Sequence, residues 1–315
     1  MVPTMVSRPS LRDAGSAGVR RPPLGCILRC RVTETVPQTG SRWGFARGDE
    51  IAPGLTALRR LGGGRRYDAY LAWDELLRSA VVAKVVRPHL VDDERALAAL
   101  EAEWELVERL DHPAIVRGVA ADLDGPRPHL VLEYLEGPRL SGLIRRGGAL
   151  RVERLASLAA RLAGALSYMH AEGVVHLDVK AGNTIMGAPP RLIDLSVARE
   201  LDEAAEIRGP VGTAAYMAPE QCLPAELGPV GPAADVWGLG VTLYEAATGE
   251  RPFPRGERDG EREERWPQLA RDPRPLGGVP AALAEPIMAC LERDPARRPA
   301  AAELVARFAE LPARR

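Results

Sequence analysis

Residues 175–186 read VHLDVKAGNTIM. Within eight positions this stretch sets an imidazole (His176), a carboxylate (Asp178), an ammonium (Lys180) and a carboxamide (Asn183), bounded by apolar residues able to seat a loop between core strands. Such a loop can hold a hydroxyl, a phosphate and a metal ion together.

The composition of the rest of the chain sharpens that reading. Arginine is the default cation: of 42 Lys and Arg residues only Lys84 and Lys180 are lysines, and Asn183 is the only asparagine. A given pair of positions would hold both lysines by chance in about one draw in nine hundred, so a chemical demand for a compact ammonium is the better account. The same bias stops at Asn183, where Asp evidently does not substitute.

At 315 residues with a net charge of -1, the chain can bury one large two-lobed domain or two ordinary ones, and no global field draws it to nucleic acid or to an anionic membrane. No apolar run approaches the ~18 residues of a spanning helix, which predicts a soluble, cytoplasmic protein. Cys26, Cys30, Cys222 and Cys290 form no dense framework. Cys26 and Cys30 are a possible metal pair without a second pair to complete it, and unpaired thiols are the plainer reading.

Residues 1–50 carry eight Arg against four acids, with many Pro, Gly and Ser and no sustained periodicity. They read as a disordered arm, or as upstream sequence ahead of a later start such as Met5, and the apolar piece at Leu24–Leu28 is too short for a signal peptide. From Leu55 to Arg87, short apolar runs broken by glycines and polar turns predict an antiparallel meander. Asp93–Leu110 follows with Leu97, Leu100, Trp104, Val107 and Leu110 at helical spacing. Two more strands fit Ala114–Val119 and His129–Leu135. After Gly137 the pattern turns helical: a long helix from Val152 ending near Gly173, then Ala233–Thr248, Ala281–Glu292 and Ala300–Leu311, with the charged, proline-rich Arg251–Pro275 as a solvated loop.

Set in this order, the residues from about Leu55 to Leu311 resemble the eukaryotic-type serine/threonine protein kinases found in bacteria. The motifs that carry the resemblance are LGGGRRYDAY (61–70), the strand VVAKVV around Lys84, H-x-D-x-K-x-x-N at 176–183, Asp194 in RLIDLSVAR, GTAAYMAPE (212–220), Asp235 in DVWGLG and Arg298 in RDPARRP. The resemblance implies an α+β, bilobal fold: an N-lobe (51–135) of small antiparallel sheet with one main helix, and a larger helical C-lobe (136–315). It also implies roles. Gly62 and Gly64 would let backbone N–H groups approach phosphates, and Lys84 beside Ala83 would neutralise the α and β phosphates. Glu103 is the preferred partner of Lys84, with Glu101 and Glu105 nearby. Leu132, Glu133, Leu135 and Ile185 would enclose the adenine. Asp178 would take the acceptor hydroxyl's proton, Lys180 would steady the γ-phosphoryl group, and Thr213 would bond near both. Asn183 and Asp194 would hold the metal. His176, Glu220, Asp235 and Arg298 would be structural, the Glu220–Arg298 pair anchoring the substrate-seating segment.

The departures from the family pattern are as informative. Leu177 stands where many members carry an Arg that reads an activation-segment phosphate, and residues 197–212 contain no Ser, Thr or Tyr. The two absences agree and predict activity without phosphorylation of that segment, or control by a partner. Tyr67 replaces a third glycine and threatens to crowd the phosphate lid. Ser196 replaces the Gly after Asp194 and is expected to stiffen that loop, and Ala181 replaces a Pro.

The implied activity is transfer of the γ-phosphoryl group of ATP, with Mg²⁺ or Mn²⁺, to Ser or Thr of protein substrates. A nucleotide-binding scaffold without transfer and a small-molecule kinase are the alternatives; the retained Asn183 argues against the first and the GTAAYMAPE segment against the second. No sensor domain or membrane anchor is expected after the kinase region, input is expected through a partner protein, the arm or dimerisation, and the oligomeric state is left open.

Overall fold

The computed structural model describes residues 42–309. The expectations for residues 1–41, Cys26 and Cys30 among them, lie outside that range. Six strands form one antiparallel sheet: β1 (Glu50–Ala52), β2 (Leu55–Gly63), β3 (Tyr67–Asp74), β4 (Ser79–Val86), β5 (Gly118–Asp122) and β6 (His129–Glu133), in the order β1-β2-β3-β4-β6-β5. Strand alternation divides β4 between two environments. Val81, Ala83 and Val85 point into a small apolar cluster on one face, with Ile51, Leu55, Tyr70 and Val131. Val82, Lys84 and Val86 take the other face, toward the main core and the cleft.

Residues 42–49, read from composition with the arm, lie on the sheet instead. Trp43 stacks on Phe45 and donates from its indole N–H to the Val86 carbonyl at 2.6 Å, while Phe45 meets Tyr70 edge-on and Arg127 lies over both outer rings. Two aromatics among polar residues form no sequence period, so only the three-dimensional arrangement shows that they cap the small cluster.

Helix α1 (Glu94–Arg109) begins at Asp93, whose carboxylate caps the Ala96 N–H at 2.7 Å. Its buried face is Ala96, Leu100, Glu103, Leu106 and Val107; Leu97 and Trp104 are only partly covered. The strand expected at Ala114–Val119 starts four residues later. Ala114, Ile115 and Val116 are buried, but they bond to Leu192 across the lobe junction rather than within the sheet.

The larger lobe is helical: α2 (Leu140–Gly147), α3 (Val152–Ala171), and the helices Pro232–Thr248, Ala281–Ala289 and Ala301–Ala309. α3 lies at the centre, with Leu155, Leu158, Leu162, Leu166 and Met169 inaccessible, and packs against Pro232–Thr248 and Ala301–Ala309. The expected solvated loop 251–275 contains two short helical turns, and Trp266 and Gln268 within it are buried. Among the described residues no helix is long and apolar enough to cross a membrane.

Candidate active site

Between the lobes lies a cleft of about 740 Å³. On its roof, Lys84 donates to both Glu103 oxygens, at 2.7 and 2.6 Å, and to Asp194 at 2.8 Å. Glu103 is 1% exposed, whereas Glu101 and Glu105 face solvent, which settles the choice among the three. Burial alone would lower the Lys84 pKa, but the two carboxylates outweigh it and the group is held fully charged. Burial also pushes Glu103 up, the nearby ammonium only partly opposing it. For Asp194 the burial effect is overcome by Lys84 and by a hydrogen bond with Ser196, so its carboxyl is held well below the carboxylate range.

On the floor, the loop 176–183 closes on itself. Lys180 Nζ donates to Asp178 at 2.5 Å and to the Thr213 hydroxyl at 2.7 Å, and that hydroxyl donates to the other Asp178 oxygen at 2.7 Å. Asn183 donates its amide N–H to the Asp178 carbonyl and carboxylate, both at 3.1 Å. Asp235, 1% exposed, accepts from the backbone N–H groups of His176 and Leu177 at 2.8 and 2.7 Å and pairs with His170 at 2.9 Å. Residue 177 takes the left-handed conformation (φ 64°), a strained turn that Asp235 holds in place. His176 is inaccessible, and its Nδ1 accepts the Asp178 N–H at 3.2 Å, so it supports the loop from beneath.

The residues expected to face a nucleotide divide. Gly64, Leu132, Glu133, Leu135 and Ile185 line the cleft; Ala83 does not, because it points to the opposite sheet face, and Val82 takes its place. Gly62 does not line it either. Gly63 does, and it is the glycine that sterics demand: a Cβ there would lie 2.3 Å from an Asp68 oxygen and 2.7 Å from the Tyr67 carbonyl. Asp68 itself is inaccessible and pins the hairpin through Arg60 at 2.7 Å.

Tyr67 leaves the lid open. Its ring turns inward, 7% exposed, places its hydroxyl on the Ala96 carbonyl at 3.1 Å and lies 4.9 Å from Lys84 Nζ. Burial raises its phenol to about 12, so it remains a donor. The stiffness expected at Ser196 has another source: the positive φ of that loop belongs to Asp194 (71°), and Ser196 contributes the hydrogen bond to its carboxylate.

The segment after Asp194 is held by contacts that sequence did not expose. Arg199–Glu200 pairs antiparallel with Val174–Val175, Glu200 meets Arg109 of α1 at 2.6 Å, and Ala204 is inaccessible. Gln221 donates to the Leu177 carbonyl at 2.9 Å and the Val211 carbonyl at 3.0 Å, and accepts the Ala218 N–H at 3.0 Å. Gln268 donates to the Ala214 and Met217 carbonyls at 2.9 and 3.0 Å. Leu177 is 3% exposed, packed in the main core. Arg298 grips Glu220 through both oxygens, at 2.5 and 2.9 Å, over the Trp237 ring.

A divalent ion fits the donor set. Both amide donations of Asn183 use Nδ2, which leaves its oxygen for the cleft, and one Asp194 oxygen is not engaged by Lys84; hard oxygen ligands of this kind suit Mg²⁺. Among the described residues no three His, Cys, Asp or Glu side chains cluster as a self-sufficient metal site. A bound ion would draw its remaining ligands from phosphate and water.

Residues 55–308 match the protein kinase domain family. The chain belongs to that family. Its curated relatives include the "Probable serine/threonine-protein kinase PkwA" of Thermomonospora curvata, 36% identical over 252 residues (79% of this chain, 33% of that protein). Others are the serine/threonine-protein kinase PkaA of Streptomyces coelicolor, 36% identical over 231 residues (71% and 41%), and PknB of Mycobacterium tuberculosis, 33% over 203 residues (61% and 32%). The kinase domain thus spans about a third to two-fifths of the length of these relatives. ATP and a divalent metal are the general requirements of the family.

Proposed function

We propose that the chain is a Ser/Thr protein kinase whose activation segment is held in its working position without phosphorylation. The observation that carries the first part is the closed Lys180–Asp178–Thr213–Asn183 network facing the Lys84–Glu103–Asp194 cluster across one cleft.

In this reading Lys84, fixed between two carboxylates, receives the α and β phosphates, and the glycine-rich hairpin covers them with backbone N–H groups. Asn183 and Asp194 would hold Mg²⁺, with Mn²⁺ as a substitute, and the ion would supply charge to offset that of the phosphates. Asp178 orients the acceptor hydroxyl and takes its proton; Lys180 stands beside it to meet the charge on the transferred group. Thr213 links the acceptor seat to both. Little covalent chemistry falls to the protein, so positioning is its main contribution.

The second part rests on Gln221 and Leu177. Where a phosphate-reading Arg would require a phosphorylated residue, a buried Leu meets the core, and the carboxamide of Gln221 joins the catalytic loop to the activation segment.

The test is transfer of labelled γ-phosphate from ATP and Mg²⁺ to protein and to the chain itself, with Asp178→Asn as control. Label on Ser or Thr that is lost in the variant and unchanged by prior phosphatase treatment supports both parts. A nucleotide-dependent rise in melting temperature without transfer would favour the scaffold reading, and loss of transfer after phosphatase would refute the second part.

A further inference from the structure

The cleft is rimmed by cations that no other described residue neutralises. Arg65 and Arg66 at the tip of the β2–β3 hairpin, Arg59 on β2 and Arg139 just ahead of α2 all line it and are all exposed. Among the described residues none of the four has a carboxylate within ion-pair distance.

All the acids nearby except Glu136 are already committed. Glu133 is taken by Arg191 at 2.5 Å and Arg117 at 3.3 Å, Glu103 and Asp194 by Lys84, and Asp178 by Lys180. Along the seat for the acceptor segment, Glu245 accepts from the Tyr216 hydroxyl and lies 3.8 Å from Arg251, which in turn sits 5.8 Å from the Tyr216 ring. Glu136, exposed on the rim beside Arg139, is the single acid of residues 134–139. The balance of uncommitted charge at the mouth is positive.

Arg139 is the member of this set tied to the chemistry. Its Nη1 donates to the Gly182 carbonyl at 3.1 Å, between Lys180 and Asn183, which rests the guanidinium on the catalytic loop. A guanidinium has five N–H donors, and among the described residues this is its one bond.

We propose that Arg139, faced by Arg65 and Arg66 across the cleft, selects acceptor segments with acidic side chains flanking the Ser or Thr. This rests on the kinase reading above. In the kinase reading ATP would engage the lid arginines through its phosphates, whereas Arg139 is bonded to the catalytic loop at Gly182, between the acceptor-side Lys180 and Asn183. A basic segment would bring like charge against it, which is penalised, and an acidic one supplies its missing partner.

The experiment uses the full chain, ATP with Mg²⁺, and three peptides that share one acceptor threonine and differ only in Asp, Ala or Arg flanks. The expected order of kcat/KM is acidic, neutral, basic, with steps of about threefold carried by KM, shrinking as salt is raised. Arg139→Glu should invert the order and Arg139→Ala should flatten it, the change falling on the ratio of the peptide KM values. Equal use of the three peptides, or a preference for the basic one, overturns the proposal. So does an Arg139→Glu variant that raises KM for ATP and leaves the peptide order unchanged, because the guanidinium then serves the nucleotide. Absence of transfer to every peptide above the Asp178→Asn background would instead overturn the kinase reading, and this proposal with it.

Discussion

The Tyr67 hydroxyl donates to the Ala96 carbonyl at 3.1 Å, joining the strand beneath the phosphate lid to the first turn of α1. The residue that looks like an obstruction in sequence is therefore a brace. Its ring fills the space between β3 and the helix that carries Glu103, with Lys84 Nζ close to its face. Tyr67→Phe should lower stability by about 1 kcal/mol, and Tyr67→Gly, which restores the usual residue type, by about 3–5 kcal/mol. Denaturant melts read both values. A Tyr67→Gly protein as stable as the wild type would show that the ring is idle.

Lys84→Arg should abolish transfer although it keeps the charge. The ammonium reaches three carboxylate oxygens from one point, and a planar guanidinium cannot take that position without displacing Glu103 or Asp194. The check is phosphate transfer together with the nucleotide-induced shift in melting temperature; retention of more than about a tenth of wild-type kcat/KM would contradict the account.

Gln221→Glu should release the activation segment. The change keeps an acceptor for the Ala218 N–H but sets a carboxylate against the Leu177 and Val211 carbonyls, a loss of about 1–3 kcal/mol. Limited proteolysis within residues 197–212 should quicken in the variant, while Glu206→Gln, on the exposed end of the segment, should leave it unchanged.

Arg298→Lys should cost about 3 kcal/mol or more, since it breaks a buried bidentate pair and leaves Glu220 without its second bond. Thermal unfolding measures the loss. A fall in kcat at temperatures where the variant is still folded would place the anchor in the activity as well.

Cys222 and Cys290 should resist alkylation in the native protein. Burial is the main cause that pushes each thiol up to about 12 from its ordinary 9.0, so thiolate is scarce at pH 8. The sign for stability follows. Between 9.0 and about 12 the folded chain holds protons that the unfolded chain has released, so this contribution is complete below 9.0 and declines as pH rises toward 12. Peptide mapping after timed labelling, and melts above pH 9, check the two statements.

Much of the site was legible because its chemistry is local. The spacing 176–178–180–183 lies within one loop, and the scarcity of Lys and Asn marks the positions where charge geometry, not charge alone, is required. Other assignments failed through orientation. Ala83 and Val82 are neighbours of equal apolar character, and only the pleat, with Val82 opposite Leu71 and Leu132 and Ala83 opposite Tyr70 and Val131, decides which one faces the cleft. Gly63 has no role in the sequence motif, and its need for glycine comes from Asp68, which lies where a side chain would be.

The sequence by itself determined the spacing of the motif residues and the helical and strand periods, because both are properties of neighbouring residues, and through its resemblance to the protein kinases it pointed to the fold and to the candidate reacting groups. Tertiary structure decided the rest: that Tyr67 braces α1, that Trp43 and Phe45 cap the sheet, and that Gln221 and Gln268 fasten the activation segment. Each of these is a contact between residues far apart in the chain, and a buried side chain's role is set by the partner that satisfies it, which no local pattern records.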